Sequence, residues 1–125
     1  YRILLVEDVE INQEIVTEML SVTGINVDVA NNGAEAVQKF EESSEGYYDI
    51  IFMDIQMPIM DGYEATRRIR ALSRSDAAEV WIVAMTANAF VEDIRMSRNA
   101  GMNEHCSKPV DPDKLCEILK NRFEK

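Results

Sequence analysis

The chain has 125 residues, 46% of them hydrophobic, and a formal net charge of −10. That suits one domain over residues 1–125 with a sizeable core. An acidic surface of this size argues against direct binding to nucleic acid or an anionic membrane, and neither a ~20-residue apolar span nor a signal peptide is visible.

The first residue is Tyr1 rather than Met, which reads as a domain excised from a longer chain. Cys106 and Cys116 share no metal spacing with the single His105, so free thiols in a reducing cytoplasm are expected.

Ile3 to Val6 is an unbroken apolar run, expected as a central strand that ends in Glu7-Asp8. A helix follows, with Ile11, Ile15, Met19 and Val22 at helical spacing and Val16 and Leu20 widening the stripe. Gly24 is placed to end it. Ile25 to Val29 alternates apolar with polar, as an edge strand does. Asn32-Gly33-Ala34-Glu35 has the form of a capping box for a helix carrying Val37 and Phe40. Residues Glu41 to Gly46 read as a polar loop.

Ile50-Ile51-Phe52-Met53 is a second unbroken run, ending at Asp54 and a loop that contains Pro58 and Gly62. Asp61 caps the next helix, which turns Ala65, Ile69 and Leu72 inward. Ser73 to Glu79 reads as loop. Val80 to Met85 is the third such run and ends in Thr86. A helix from about Asn88 to Ala100 has a thin stripe, Val91 and Ile94, and should be the least firmly held. Glu104 to Ser107 is a short last strand before Lys108-Pro109. Asp111-Pro112 then starts a helix with Leu115, Ile118, Leu119 and Phe123 on its buried side.

Five βα repeats imply an α/β fold, a doubly wound parallel sheet with right-handed crossovers and five helices. The three fully apolar strands belong in the middle, so the strand order is 2-1-3-4-5 and the ligand crevice opens beyond the ends of strands one and three. Every strand but the second brings a polar group to that edge: Glu7 and Asp8, Asp54, Thr86 and Lys108.

Three carboxylates held together repel one another and raise their pKa values. A hard divalent cation such as Mg²⁺ removes the conflict, with the Gln56 carbonyl in reach if the loop turns back. Metal, ammonium and hydroxyl together suit a negatively charged phosphoryl group, and Asp54 is placed to attack phosphorus. Each group also has a plainer reading: Asp54 capping the next turn, Glu7-Asp8 as a solvated loop, Thr86 capping a helix, Lys108 as a surface lysine. It is their convergence that favours chemistry.

The chain resembles the receiver domains of two-component phosphorelays along essentially its whole length. The likeness is carried by Leu4-Leu5-Val6-Glu7-Asp8, by Met53 to Gly62, by Ala84 to Ala89 and by Gly101 to Pro109. Asn12-Gln13, Met53-Asp54-Ile55-Gln56-Met57-Pro58 and Met85-Thr86-Ala87-Asn88-Ala89 look most like the receivers of hybrid sensor histidine kinases.

The resemblance implies a flavodoxin-like (CheY-like) fold with Asp54 as phosphoacceptor. It implies Mg²⁺ on Asp8, Asp54 and the Gln56 carbonyl, with Glu7 acting directly or through water. Thr86 and Lys108 would bind the phosphoryl oxygens, and Lys108-Pro109 would be a cis peptide. The phosphodonor would be a histidine kinase or a histidine phosphotransfer domain, and slow autodephosphorylation would follow. The response would run through the fourth helix, fifth strand and fifth helix, where a homodimer is also conceivable. A cytoplasmic location is implied, whether or not the parent chain is membrane-anchored.

One departure concerns the switch pair. Many family members place Tyr or Phe three residues before the lysine, to move in concert with the hydroxyl residue. Here that position is His105, which reads either as a switch partner of Thr86 or as a rim histidine. Met57, Ile59 and Met60 are expected either to pack or to touch a phosphodonor helix.

Three other classes fit less well. A flavodoxin-like cofactor binder would need a phosphate cradle where Glu7-Asp8-Val9-Glu10 stands. A metal-dependent hydrolase would need a general acid-base near Asp54, where Gln56 stands. A non-phosphorylatable interaction module would not need the intact set.

Overall fold

The apolar runs become the sheet. The computed structural model describes residues 1–22, 24–87, 91–108 and 110–123. Its strands are β1 (Arg2–Val6), β2 (Asn26–Ala30), β3 (Ile50–Asp54), β4 (Trp81–Thr86) and β5 (Glu104–Ser107). They are parallel and lie in the order β2-β1-β3-β4-β5. The helices are α1 (Glu10–Ser21), α2 (Gly33–Glu42), α3 (Gly62–Arg70), α4 (Val91–Ala100) and α5 (Pro112–Phe123).

Side chains alternate across the strands, so the sheet feeds two cores. Leu4, Val6, Ile51, Met53, Ile82 and Ala84 pack against Phe40, Tyr63, Ala65 and Ile69 of α2 and α3. Ile3, Leu5, Ile50, Phe52, Val83 and Met85 pack against Val16 and Leu20 of α1 and Leu115, Ile118 and Leu119 of α5. All five residues of β3 are buried, as a central strand requires. The edge strand β2 is only partly covered.

The expected caps form. The Asn32 side chain accepts from the Glu35 amide at 2.9 Å and the Asp61 side chain from the Glu64 amide at 2.9 Å. Asp111 accepts from the Asp113 amide at 3.0 Å, with Pro112 opening α5.

Three expectations need correction. In α1 only Val16 and Leu20 are buried, with Met19 packed against them. Ile11, Ile15 and Val22 are 63%, 46% and 87% exposed, so they form a separate ridge rather than the core stripe. The Ser73–Glu79 loop contains a 3₁₀ turn at Ser75–Ala77, with a shielded Arg74–Asp76 ion pair at 2.9 Å. Arg74 also donates to the carbonyls of Phe40 and Ser43, and Asp76 accepts from the Gly46 amide, which ties two loops together. Phe123 is half-buried, its ring stacked on Tyr1 with centroids 3.9 Å apart. The expected start of α4 at Asn88 and its Val91 side chain lie outside the described residues. Further along that helix Ser97 and Ala100 are buried and Ile94 is half-buried.

Candidate active site

The parallel sheet delivers its strand ends to one edge. Glu7 follows β1 directly, Asp54 ends β3, Thr86 ends β4, and Lys108 follows β5. Thr86 pairs in register with Ser107, and the Lys108 amide donates to the Thr86 carbonyl at 2.8 Å.

Glu7 is 1% and Asp54 3% exposed, while Asp8 faces solvent. Carboxylate oxygens of the three lie within 4.8 Å of one another. The Lys108 ammonium sits between two of them, 3.0 Å from Asp54 and 3.1 Å from Glu7. The Gln56 amide donates to Asp54 Oδ1 at 3.3 Å, a local turn about the carboxyl.

Burial, first, and a hydrogen bond to Glu7 push the Asp54 carboxyl up to about 7, against the pull of Lys108. On Glu7 burial also acts upward, but hydrogen bonds with Asp54, Asn12 and Lys108 and the ammonium charge outweigh it, and its pKa falls. The two shifts run in opposite directions, so Asp54 is the member of the pair that keeps a proton more readily. Burial disfavours the Lys108 charge, yet its bonds to Asp54 and Glu7 raise its pKa overall.

Three carboxylates against one ammonium leave two negative charges when all are ionised. An oxygen-only donor set with that excess, partly solvent-facing through Asp8, fits a hard divalent cation.

Two further residues organise the acid pair. Asn12 donates to Glu7 Oε1 at 2.6 Å, and Gln13 donates to the Glu7 carbonyl at 2.6 Å and to Asn31 Oδ1 at 2.8 Å. Residue types suggest the family likeness of Asn12-Gln13; only the fold shows that they position Glu7. The loop after Asp54 is fixed by close approach. A Cβ on Gly62 would overlap the Asp54 carbonyl oxygen, and the Gly62 amide donates to the Ile55 carbonyl at 2.9 Å. In the same loop Ile59 adopts φ 70° and is 83% exposed.

The structure thus brings Glu7, Asp8, Asp54 and Lys108 together, with Gln56 and Thr86 beside them. His105 stands apart from this cluster. It pairs with Ala84 and lines a separate cavity facing α4. Met57 and Met60 are partly buried against the core, so packing accounts for them, whereas Ile59 projects into solvent. Pro109 and Asn88 lie outside the described residues.

Fold and site together define a phosphoryl-accepting signalling module. The family model for the response regulator receiver domain matches residues 3–120, and the chain belongs to that family. It is 42% identical over 120 residues to hybrid signal transduction histidine kinase L of Dictyostelium discoideum, covering 95% of this chain and 7% of that protein. The chain therefore spans a small fraction of that relative. It is 39% identical to the receiver domain of a Pseudomonas aeruginosa sensor histidine kinase, solved with magnesium in its active-site cleft. There the TM-score is 0.87, with 99% of this chain and 98% of that one covered. The receiver of the Saccharomyces cerevisiae response regulator Ssk1, solved with the histidine phosphotransfer protein Ypd1, is 33% identical with a TM-score of 0.85. The match covers 97% of this chain and 87% of that one. The chain is a receiver domain of a two-component phosphorelay. Among the described residues, no helix is long and apolar enough to cross a membrane.

Proposed function

We propose that Asp54 is the phosphoacceptor, that Glu7, Asp8, Asp54 and the Gln56 carbonyl hold Mg²⁺, and that Thr86 and Lys108 bind the transferred group. The observation that carries this reading is the buried Asp54 carboxyl within 3.0 Å of Lys108 and within the Glu7–Asp8 cluster. When bound, Mg²⁺ supplies charge neutralisation for the phosphoryl oxygens.

An Asp54 oxygen forms the new O–P bond as the P–N bond of a phosphohistidine breaks and the imidazole leaves. Lys108 holds a phosphoryl oxygen in place of its metal-free contact to Asp54, and the Thr86 hydroxyl donates to another. Loss of the group is the attack of water on phosphorus, which returns the Asp54 carboxylate and inorganic phosphate.

The donor is a histidine kinase or histidine phosphotransfer domain. Exposed apolar side chains at Ile11, Ile15 and Ile59 give its surface something to cover. The free thiols of Cys106 and Cys116 fit a cytoplasmic setting. The phosphorylated state biases an equilibrium of the α4, β5 and α5 face, with Thr86 and His105 as its moving side chains.

The test is intact-mass spectrometry after incubation with acetyl phosphate. A Mg²⁺-dependent gain of one phosphoryl group, absent in Asp54→Asn, is expected. Equal labelling of Asp54→Asn would sink the assignment.

A further inference from the structure

Every polar atom of Glu7 has a partner. Its amide donates to the Ala30 carbonyl at 3.1 Å and its carbonyl accepts from Gln13 at 2.6 Å, so the backbone is held from both sides. The side chain is buried and takes its bonds from the interior. Oε1 accepts from Asn12 at 2.6 Å and from Lys108 at 3.2 Å, and Oε2 accepts from Lys108 at 3.1 Å. Asp54 shares a further hydrogen bond with the carboxyl. Around it Ile15, Val16, Met85 and Val110 wall a cavity of about 330 Å³ and offer no side-chain donor.

Phosphoryl transfer disturbs all but one of these carboxyl bonds. An acyl phosphate on Asp54 has no proton to share with Glu7. The new phosphoryl oxygens draw the Lys108 ammonium, which in the metal-free protein spans Asp54 and Glu7. A buried carboxylate that loses its donors is costly. Asn12 is the third residue of α1, and the turn from β1 into that helix carries its carboxamide back onto Glu7. That bond involves neither Asp54 nor Lys108, so it stands before and after the transfer.

We propose that Asn12 is a positioning residue that keeps the Glu7 carboxylate bonded and oriented while Lys108 passes to the phosphoryl group. The inference rests on Asp54 as phosphoacceptor and on Glu7 as part of the Mg²⁺ set. Asn12 acts through Glu7 and touches neither the metal nor the transferred group. The same bond presents Glu7 to Mg²⁺ in one orientation, as the partners behind metal ligands do.

The experiment compares the unaltered domain with Asn12→Leu, Asn12→Ala and Val16→Ala. Leucine matches asparagine in size but donates nothing. Alanine also lacks the donor and favours the helix. Calorimetry measures Mg²⁺ affinity, and intact-mass spectrometry the rate of labelling by acetyl phosphate at saturating Mg²⁺. Thermal melting without metal reports folding. Asn12→Leu should weaken Mg²⁺ binding by about tenfold. It should lower the maximal labelling rate by about tenfold, with the half-saturating acetyl phosphate concentration unchanged. Asn12→Ala should fall in the same direction. Val16→Ala removes a core side chain from the same helix and leaves the Glu7 bonds in place, so it should lower the melting temperature alone. Unaltered affinity and rate in both Asn12 variants, or an equal fall in Val16→Ala, would overturn the role of Asn12. An unaltered domain that gains no Mg²⁺-dependent phosphoryl group would overturn the reading of Asp54, and this inference with it.

Discussion

Helices α3 and α4 occupy equivalent places, each following a strand that ends in a site residue, yet they are held very differently. α3 buries Gly62, Tyr63, Ala65, Thr66 and Ile69, and its first residue touches the Asp54 backbone. In the described part of α4 only Ser97 and Ala100 are buried, and Met96 is 51% exposed. Its C-terminal end is pinned from outside: Arg70 donates to the Gly101 carbonyl at 2.8 and 3.0 Å, to the Ala77 carbonyl at 3.0 Å and to Asn103. One wall of the site is therefore built into the core, while the other hangs from a side chain of the first. A receiver needs both, a fixed frame for Asp54 and an element whose position costs little to change.

The sharpest test removes the same side chain from each helix. Ile69 is fully buried, so Ile69→Ala should cost about 2–5 kcal/mol of unfolding free energy. Ile94 is half-buried, and Ile94→Ala should cost about 1 kcal/mol. Urea denaturation measures both; similar losses would erase the contrast. Next, Arg70→Ala should weaken the hold on α4 by about 2 kcal/mol, since several carbonyl bonds vanish together. Hydrogen exchange should accelerate near Gly101 while the α3 amides stay protected.

Asp54 sits at the seam between the two walls, and its proton makes the seam pH-dependent. With the folded pKa raised from 3.8 to about 7, the native state keeps a proton that the unfolded chain has lost. The resulting stabilisation is complete below the unfolded value and is lost as pH rises through about 7. Glu7, shifted down, has the opposite sign: its contribution is present above 4.5 and lost on acidification. Metal-free Asp54→Asn should lack the loss of stability toward neutral pH. On the proposed ligand set Mg²⁺ displaces the Asp54 proton, so its apparent affinity should fall about tenfold per pH unit below 7. Calorimetric titration at several pH values measures this, and a flat profile would contradict it.

The smallest effect concerns strain on the firm side. A left-handed β-branched residue is unfavourable by about 1–2 kcal/mol, so Ile59→Gly should stabilise the domain by about 1 kcal/mol. It should also slow phosphotransfer from a protein donor but leave acetyl phosphate labelling unchanged. A stability loss on thermal melting would show that the Ile59 side chain packs.

Much of this was legible beforehand. Continuous apolar runs named the central strands, and alternation named the edge, so strand order and the shared edge of Glu7, Asp54, Thr86 and Lys108 followed. The failures share a cause. Ile11, Ile15 and Val22 keep helical spacing just as Val16 and Leu20 do, and a helix with two apolar ridges gives no sign of which one faces inward. Arg74 and Asp76 read as loop residues because polarity alone does not reveal burial; their mutual bond is what allows it. Asn12 and Gln13 carried no chemical signal of their own, since a carboxamide gains its role only from the acceptor the fold places before it.

The strand order also sets a ruler. Neighbouring strands stand about 4.8 Å apart, so β5 lies two spacings from β3 and three from β1. Lys108 nonetheless places its ammonium on both Asp54 and Glu7. Thr86, one spacing away, needs only a short side chain. The long methylene stem at position 108 is thus a matter of distance as much as charge: a shorter amine in its place would carry the same charge and fall short of both carboxylates.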